Sequence, residues 1–329
     1  MSESRKQSIN HVFSLFKSRV EASQSHLKDV NYEFEIRFAE KKIDKLVYER
    51  IFKGLKKFGF SVSKSEYLLR IQPNIPSKSL PRVELNELSK IQDYCLTEKY
   101  PTTGSCVMKK SLLPDEKPIY NNEYSFRMSV QEEQELHPTN RGVQTLQDKW
   151  KQIKKYFRYL HRTTLTHDDF PHIQVDMSTV RSSKGEFVYF AKSNVLNQPE
   201  HYEVEIECVD ITKDTLKTLD KGLLLANLKK VIKYVLGGIQ NTHFPVSFPI
   251  ISGIYNEYNQ VCRLINNVAD RNTPIKPYFI GPSSLTLQKD NLLQRPDKNN
   301  HICVETGFCV TDKADGDRML LFINKDNKA

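Results

Sequence analysis

Tyr202–Cys208 reads YEVEIEC, and Asn31–Phe38 reads NYEFEIRF. Both stretches alternate between polar and apolar residues, which is the side-chain period of a β-strand. In the later stretch Glu203, Glu205 and Glu207 share one face, opposite Tyr202, Val204, Ile206 and Cys208. In the earlier one Glu33, Glu35 and Arg37 oppose Phe34, Ile36 and Phe38. Glutamate is disfavoured in strands, and like charges on one face repel. Such rows therefore need compensation. One reading is a pair of amphipathic strands whose polar sides face water. The other is a site for a divalent cation: Mg²⁺ or Mn²⁺ takes carboxylate and water oxygens in octahedral geometry and also binds phosphates.

The flanking sequence favours the second reading. Across Tyr124–Glu133, Tyr124, Phe126, Met128 and Val130 point one way, while Ser125, Arg127, Ser129, Gln131 and Glu133 point the other. Across Ile173–Arg181, Ile173, Val175 and Met177 oppose Gln174, Asp176 and Ser178. Between Lys149 and Arg162 lie six basic residues and no acid, and Arg158 and Arg162 share a face if this segment is a strand. Lys109 and Lys110 sit in another expected strand, and strand parity favours Lys109 unless a bulge exchanges them. Each base alone is a solvated surface charge. Acids on two strands and bases on the others, all on polar faces, match the needs of a triphosphate site. Such strands can close into a barrel with a charged interior.

Over about residues 28–236 the sequence resembles the tunnel-type triphosphatases, found in the capping enzymes of large DNA viruses and in fungal RNA triphosphatases. The resemblance is carried by YEFEIRF at 32–38, FRMSVQEE at 126–133, FRYLHRTT at 157–164, VDMSTVR at 175–181 and YEVEIE at 202–207. It implies an α+β fold, a closed antiparallel β-barrel (the triphosphate tunnel) with packed helices. It implies metal-binding roles for Glu33, Glu35, Glu205 and Glu207, with Glu203 in support. Arg127, Arg158 and Arg162 would hold the β- and γ-phosphates, with Lys109 beside them. Glu133 would orient or activate the attacking water. Asp176 and Ser178 match a tunnel-wall position usually written Asp-Leu-Thr, and serine keeps the hydroxyl. The implied reaction is hydrolysis of 5′-triphosphate RNA with Mg²⁺ or Mn²⁺.

Near the end, Phe308–Ile323 reads FCVTDKADGDRMLLFI. Two apolar stretches flank KADGDR, which resembles the nucleotidyl-lysine motif KxDGxR of RNA guanylyltransferases and nucleic-acid ligases. A bare DG hairpin turn is compatible with the same residues. The resemblance makes Lys313 the nucleophile that takes GMP from GTP, with Asp315 and Arg318 contacting substrate. That fold needs strands and motifs beyond Ala329, so the expectation is the beginning of a nucleotidyltransferase domain only. The partners implied are 5′-triphosphate RNA and the rest of a capping enzyme, with a guanylyltransferase part and, as an option, a methyltransferase part. Two other readings compete: a tunnel enzyme for small triphosphates or polyphosphate, and a non-catalytic RNA-binding scaffold.

The expected organisation is an N-terminal helix over 1–27, the tunnel domain over 28–238, a linker over 239–300 and the incomplete guanylyltransferase over 301–329. Within it the periodicity predicts helices at 6–23, Leu46–Phe58 and near Tyr255–Val268. Glu186–Lys192 is expected as a strand, and Thr215–Leu236 as one long helix ended by Gly237 and Gly238. His301–Ile323 is expected as two strands. The 329 residues carry a net charge of +9, which suits an anionic partner but is weak evidence alone. The six cysteines form no CxxC pair, so zinc is not expected. Without a signal peptide, they read as reduced thiols of a cytoplasmic protein. No apolar run is long enough to span a membrane.

Overall fold

The computed structural model describes residues 8–22, 30–39, 43–74, 81–113, 117–265, 288 and 320–326. The chain forms two compact units, Met1–Phe248 and Pro249–Ala329. The first is built on nine strands: β1 Val30–Phe38, β2 Ser61–Pro73, β3 Pro81–Leu85, β4 Ser105–Ser111, β5 Ile119–Asn121, β6 Phe126–Glu135, β7 Lys155–Thr166, β8 Ile173–Ser182 and β9 His201–Cys208. Their order is β1-β9-β8-β7-β2-β3-β4-β6-β5, and β1 also pairs with β6. That last pairing closes eight of the strands into a barrel. The ninth, β5, continues the ladder along β6 where β4 stops: β4 pairs with Gln131–Glu135 and β5 with Phe126–Met128. Every pairing is antiparallel. Closure removes the exposed edges that an open sheet of this size would present.

Alternation then sorts the side chains. The apolar faces of β1, β6, β8 and β9 point outward into a core shared with three helices. These are α1 Ile9–Ala22, α2 Lys45–Lys57 and, later in the chain, α7 Lys221–Gln240. Val12, Phe13, Phe16 and Val20 form the buried stripe of α1, and Phe16 meets Phe34 with ring centroids 5.7 Å apart. A second core covers β2, β3 and β7 beneath α3 Leu88–Thr97 and α4 Arg141–Lys149. There Trp150 and Tyr94 are buried edge to face, and Lys155 is buried too. The Lys155 ammonium donates to the carbonyls of Trp150 and Ile153 at 2.6 and 2.8 Å, so this base belongs to the outer core.

Three expectations change. Glu186–Lys192 is no strand: Phe187 makes one bridge to Lys155, and the chain then turns into α5 Phe190–Ser193. That turn sends Phe190 inward against Phe157 and Tyr94. The long helix is two. The shorter, α6 Lys213–Thr218, stops at Leu219, and Asp220 starts α7 by accepting from the amides of Gly222 and Leu223. Gly237 and Gly238 do not terminate α7, which runs on until Asn241 turns left-handed at φ 55°. Gly238 serves contact instead. A Cβ there would lie 2.9 Å from the Ile51 Cα, so its absence lets α2 and α7 approach closely. In the second unit, α8 Phe248–Ile265 occupies part of the expected linker. Tyr258 packs against Phe322, with ring centroids 5.4 Å apart. KADGDR, with Lys313, Asp315 and Arg318, lies outside the described residues, as does most of the strand pair expected over His301–Ile323. Among the described residues no helix is long and apolar enough to cross a membrane.

Candidate active site in the barrel lumen

The register carries the polar faces into the lumen. On β1 these are Glu33, Glu35 and Arg37, and on β9 Glu203, Glu205 and Glu207. Glu35 pairs with Glu207 and Arg37 with Glu205, so the two acidic strands are direct neighbours. On the other side of β1, Arg37 faces Arg127 of β6 and Asn31 faces Glu133. Asp176 of β8 pairs with Glu205, and Ser178 with Glu203. Arg158 and Arg162 follow on β7, where Arg162 pairs with Ser178. On β4 the register is regular: Lys109 pairs with Glu133 and reaches the lumen, while Lys110 is exposed.

Charge compensation is dense along one stretch of this wall. Glu203 receives both the Arg37 guanidinium and Arg158, whose Nη2 lies 2.6 and 2.8 Å from its two oxygens. Glu205 receives Arg37 Nε and Arg162 Nη2, each at 3.2 Å. Arg162 also bonds Asp176 at 2.9 Å and donates to the Ser178 hydroxyl at 3.4 Å. Thr164 donates to the other Asp176 oxygen at 2.6 Å. Burial alone would raise the Glu205 carboxyl, but Arg37 and Arg162, with Arg70 and Arg158 behind them, hold it down at about 2. Across the lumen, Lys109 bridges Glu33 at 2.5 Å and Glu133 at 2.7 Å. Arg82 stands 3.6 Å from Glu133.

Glu35 and Glu207 differ. Among the described residues no ion pair engages either one, and Glu207 accepts only the Gln174 amide, at 3.1 Å. Burial, and after it Glu205, push the Glu35 carboxyl up to about 7. Burial, then Asp176 and Glu205, push Glu207 up to about 8. One oxygen each from Glu35, Glu205 and Glu207 lies within 4.8 Å of the others. Three hard oxygen donors under mutual repulsion fit a divalent cation of the Mg²⁺ or Mn²⁺ kind. Glu33 and Glu203 face the same lumen but are held by Lys109 and by Arg37 with Arg158. Arg127 sits in the lumen with its Nε buried and without an acceptor.

Several lumen residues escape a reading of the sequence. Arg70 of β2 lies 2.9 Å from Glu84 of β3, and Arg82 lies 2.5 Å from the same carboxylate. Together they hold Glu84 below the usual carboxylate range against the effect of burial. PRVEL at 81–85 does alternate, with Arg82 and Glu84 opposite Val83 and Leu85, but over only five residues. Arg37 shares a visible face with Glu33 and Glu35, yet its role as partner to Glu203 and Glu205 appears only once β1 meets β9.

No family model matches the chain, and no curated protein sequence does. Solved structures do. The RNA triphosphatase domain of a trifunctional mimivirus mRNA capping enzyme aligns over 71% of this chain and 99% of its own, at 18% identity and a TM-score of 0.46. A monoclinic form of the mimivirus capping enzyme triphosphatase gives 19% identity and a TM-score of 0.47, over 71% and 98%. The S. pombe Pct1 RNA triphosphatase, in complex with the Spt5 CTD, aligns over 69% and 89%, at 12% identity and a TM-score of 0.40.

Proposed function

We propose that this chain is a metal-dependent RNA 5′-triphosphatase that removes the γ-phosphate of nascent RNA during cap formation. The observation that carries the reading is the Glu35, Glu205 and Glu207 cluster, facing a closed lumen whose other strands present arginines and a lysine. A pure binding module for an anion has no use for clustered carboxylates. A triphosphate hydrolase does.

Glu35, Glu205 and Glu207 would hold Mg²⁺ or Mn²⁺. When bound, such an ion neutralises charge on the phosphoryl oxygens as the bond to the leaving group breaks. The other groups bind and orient. Arg127, with a free buried Nε, receives a β- or γ-phosphate oxygen without giving up a carboxylate. Arg158 and Arg162 share their donors between wall carboxylates and phosphate, because each guanidinium carries five N–H groups. Asp176, Ser178 and Thr164 fix the plane of Arg162, and Glu203 steadies Arg158 and Arg37. Glu133, beside Lys109, takes a proton from water as the water oxygen bonds to the γ-phosphorus. The bond from that phosphorus to the β–γ bridging oxygen breaks. The products are inorganic phosphate and a diphosphate 5′ end.

The test is release of γ-phosphate from 5′-triphosphate RNA with Mg²⁺ or Mn²⁺, in parallel with ATP and inorganic polyphosphate. RNA should be the preferred substrate, and release should vanish in Glu205→Ala. No release with either metal, or unchanged release in Glu205→Ala, overturns the reading. The KADGDR motif supports a further part for the same protein, guanylyl transfer from GTP through Lys313, with Asp315 and Arg318 on the substrate. Its check is an adduct from α-labelled GTP that is stable to alkali and labile to acid, and that is lost in Lys313→Ala.

A further inference from the structure

Outside the barrel, α2 and α7 enclose a groove of about 530 Å³. Arg50, Lys53 and Lys57 line one wall from α2, and Lys233 faces them from α7. No Asp or Glu lines it, and none of the four cations forms an ion pair among the described residues. The groove is aromatic as well. Phe58 and Tyr234 stack 4.0 Å apart in its floor, and Phe244 stands at its rim, 77% exposed, with the Lys233 ammonium 5.3 Å from its ring centre. Phe244 keeps most of its ring exposed despite the Lys233 contact, and four cations without carboxylate partners around one hollow repel one another.

We infer that this groove binds a single-stranded polynucleotide, independently of the chemistry in the lumen. Cations that track a backbone and aromatic rings that stack on bases are the two components of such sites. Arg50 to Lys57 spans roughly 10 Å of helix, the length of about three stacked nucleotides. The walls are helices, so there is no strand edge for an extended acidic peptide to join. Phe58 and Tyr234 stack on each other, which leaves Phe244 as the one strongly exposed ring of the groove, less apolar area than insertion into a lipid surface needs. Gly54 leaves the middle of the α2 wall open, since a Cβ there would meet nothing within 4 Å.

The probe is a fluorescent 20-nucleotide RNA with a 5′-hydroxyl end, which offers the lumen no triphosphate, and a DNA of the same sequence. Binding is followed by anisotropy as salt is varied. Lys53→Glu with Lys233→Glu should weaken binding at least tenfold and flatten the salt dependence of log K by roughly 1 to 2. Phe244→Ala should cost about tenfold with the salt slope unchanged. Gly54→Gln, which fills the groove without touching charge and suits a helix, should weaken binding of RNA and DNA alike; thermal melts verify that each variant folds. Ultraviolet crosslinks should map to Tyr234 or Phe244. Unchanged affinity in the charge and Gly54 variants overturns the inference. So does competition by phosphatidylserine vesicles or a poly-glutamate peptide at lower concentration than unlabelled RNA. Because the probe carries no 5′ phosphate, loss of binding here and loss of γ-phosphate release report on different sites.

Discussion

Glu205 and Glu207 are two residues apart on one strand and one face, yet they live under opposite electrostatics. Glu205 is gripped by Arg37 and Arg162, and its carboxyl is held at about 2. Glu207 has one neutral amide for company, and burial drives its carboxyl up to about 8. Glu35, directly across the ladder from Glu207, shares that condition. The lumen therefore contains a stretch that neutralises itself and a stretch that does not. The first is scaffold, fixing guanidinium groups in place. On the proposed reading the second stores like-charge repulsion that a cation would relieve, with Glu205 as the carboxylate common to both stretches.

The comparison breaks most visibly if the two glutamates are removed in turn. Glu207→Gln should lower metal-dependent γ-phosphate release by at least about a thousandfold, the scale set by losing transition-state charge stabilisation. Its metal-free melting temperature should not fall. Glu205→Gln should lose comparable activity and also about 1–3 kcal/mol of stability, because Arg37 and Arg162 each lose one of two carboxylate partners. Equal stability of the two variants in a chelator would dissolve the distinction. The sign with pH is also fixed. A carboxyl raised from its ordinary value contributes stability that is present in acid and lost as pH rises toward its folded value. The advantage of Glu207→Gln over the parent, without metal, should therefore grow between about pH 4.5 and 8.

Smaller effects sharpen the same contrast. Saturating Mn²⁺ at a hundredfold excess over its dissociation constant should stabilise the parent by about 2.7 kcal/mol, with little shift in Glu207→Gln, as read by melts with and without chelator. Arg127→Ala should raise KM for the triphosphate substrate about tenfold with a near-native melting temperature, since its Nε has no protein acceptor to lose. Arg162→Ala, which leaves Asp176 and Glu205 underpaired, should destabilise where Arg127→Ala does not.

How much of this was legible in the sequence follows from how local each signal is. NYEFEIRF and YEVEIEC declare their faces within seven or eight residues, so both acidic strands and the direction of their glutamates could be read directly. Arg158 and Arg162, four apart on a strand, were equally plain. Arg70 was not, because Leu68 and Leu69 precede it and blur the alternation; Leu68 packs with Leu160 and Val180 instead. The partnership of each acid with each base was beyond reach, since it depends on a register set when distant strands pair. Glu33 and Glu35 look alike in sequence, but Glu33 is paired with Lys109 of β4 while Glu35 lies beside Glu205. Gly237 and Gly238 misled because glycine serves both to end helices and to bring them together.

The closing pair of the barrel also says something about manufacture. The strand that carries Glu35 is made early, and both of its neighbours, β6 and β9, come much later. During synthesis on a ribosome its two edges and the apolar row of Phe34, Ile36 and Phe38 wait unpaired. The cluster of Glu35, Glu205 and Glu207 is thus among the last features to assemble, because its three carboxylates meet only when β9 closes on β1.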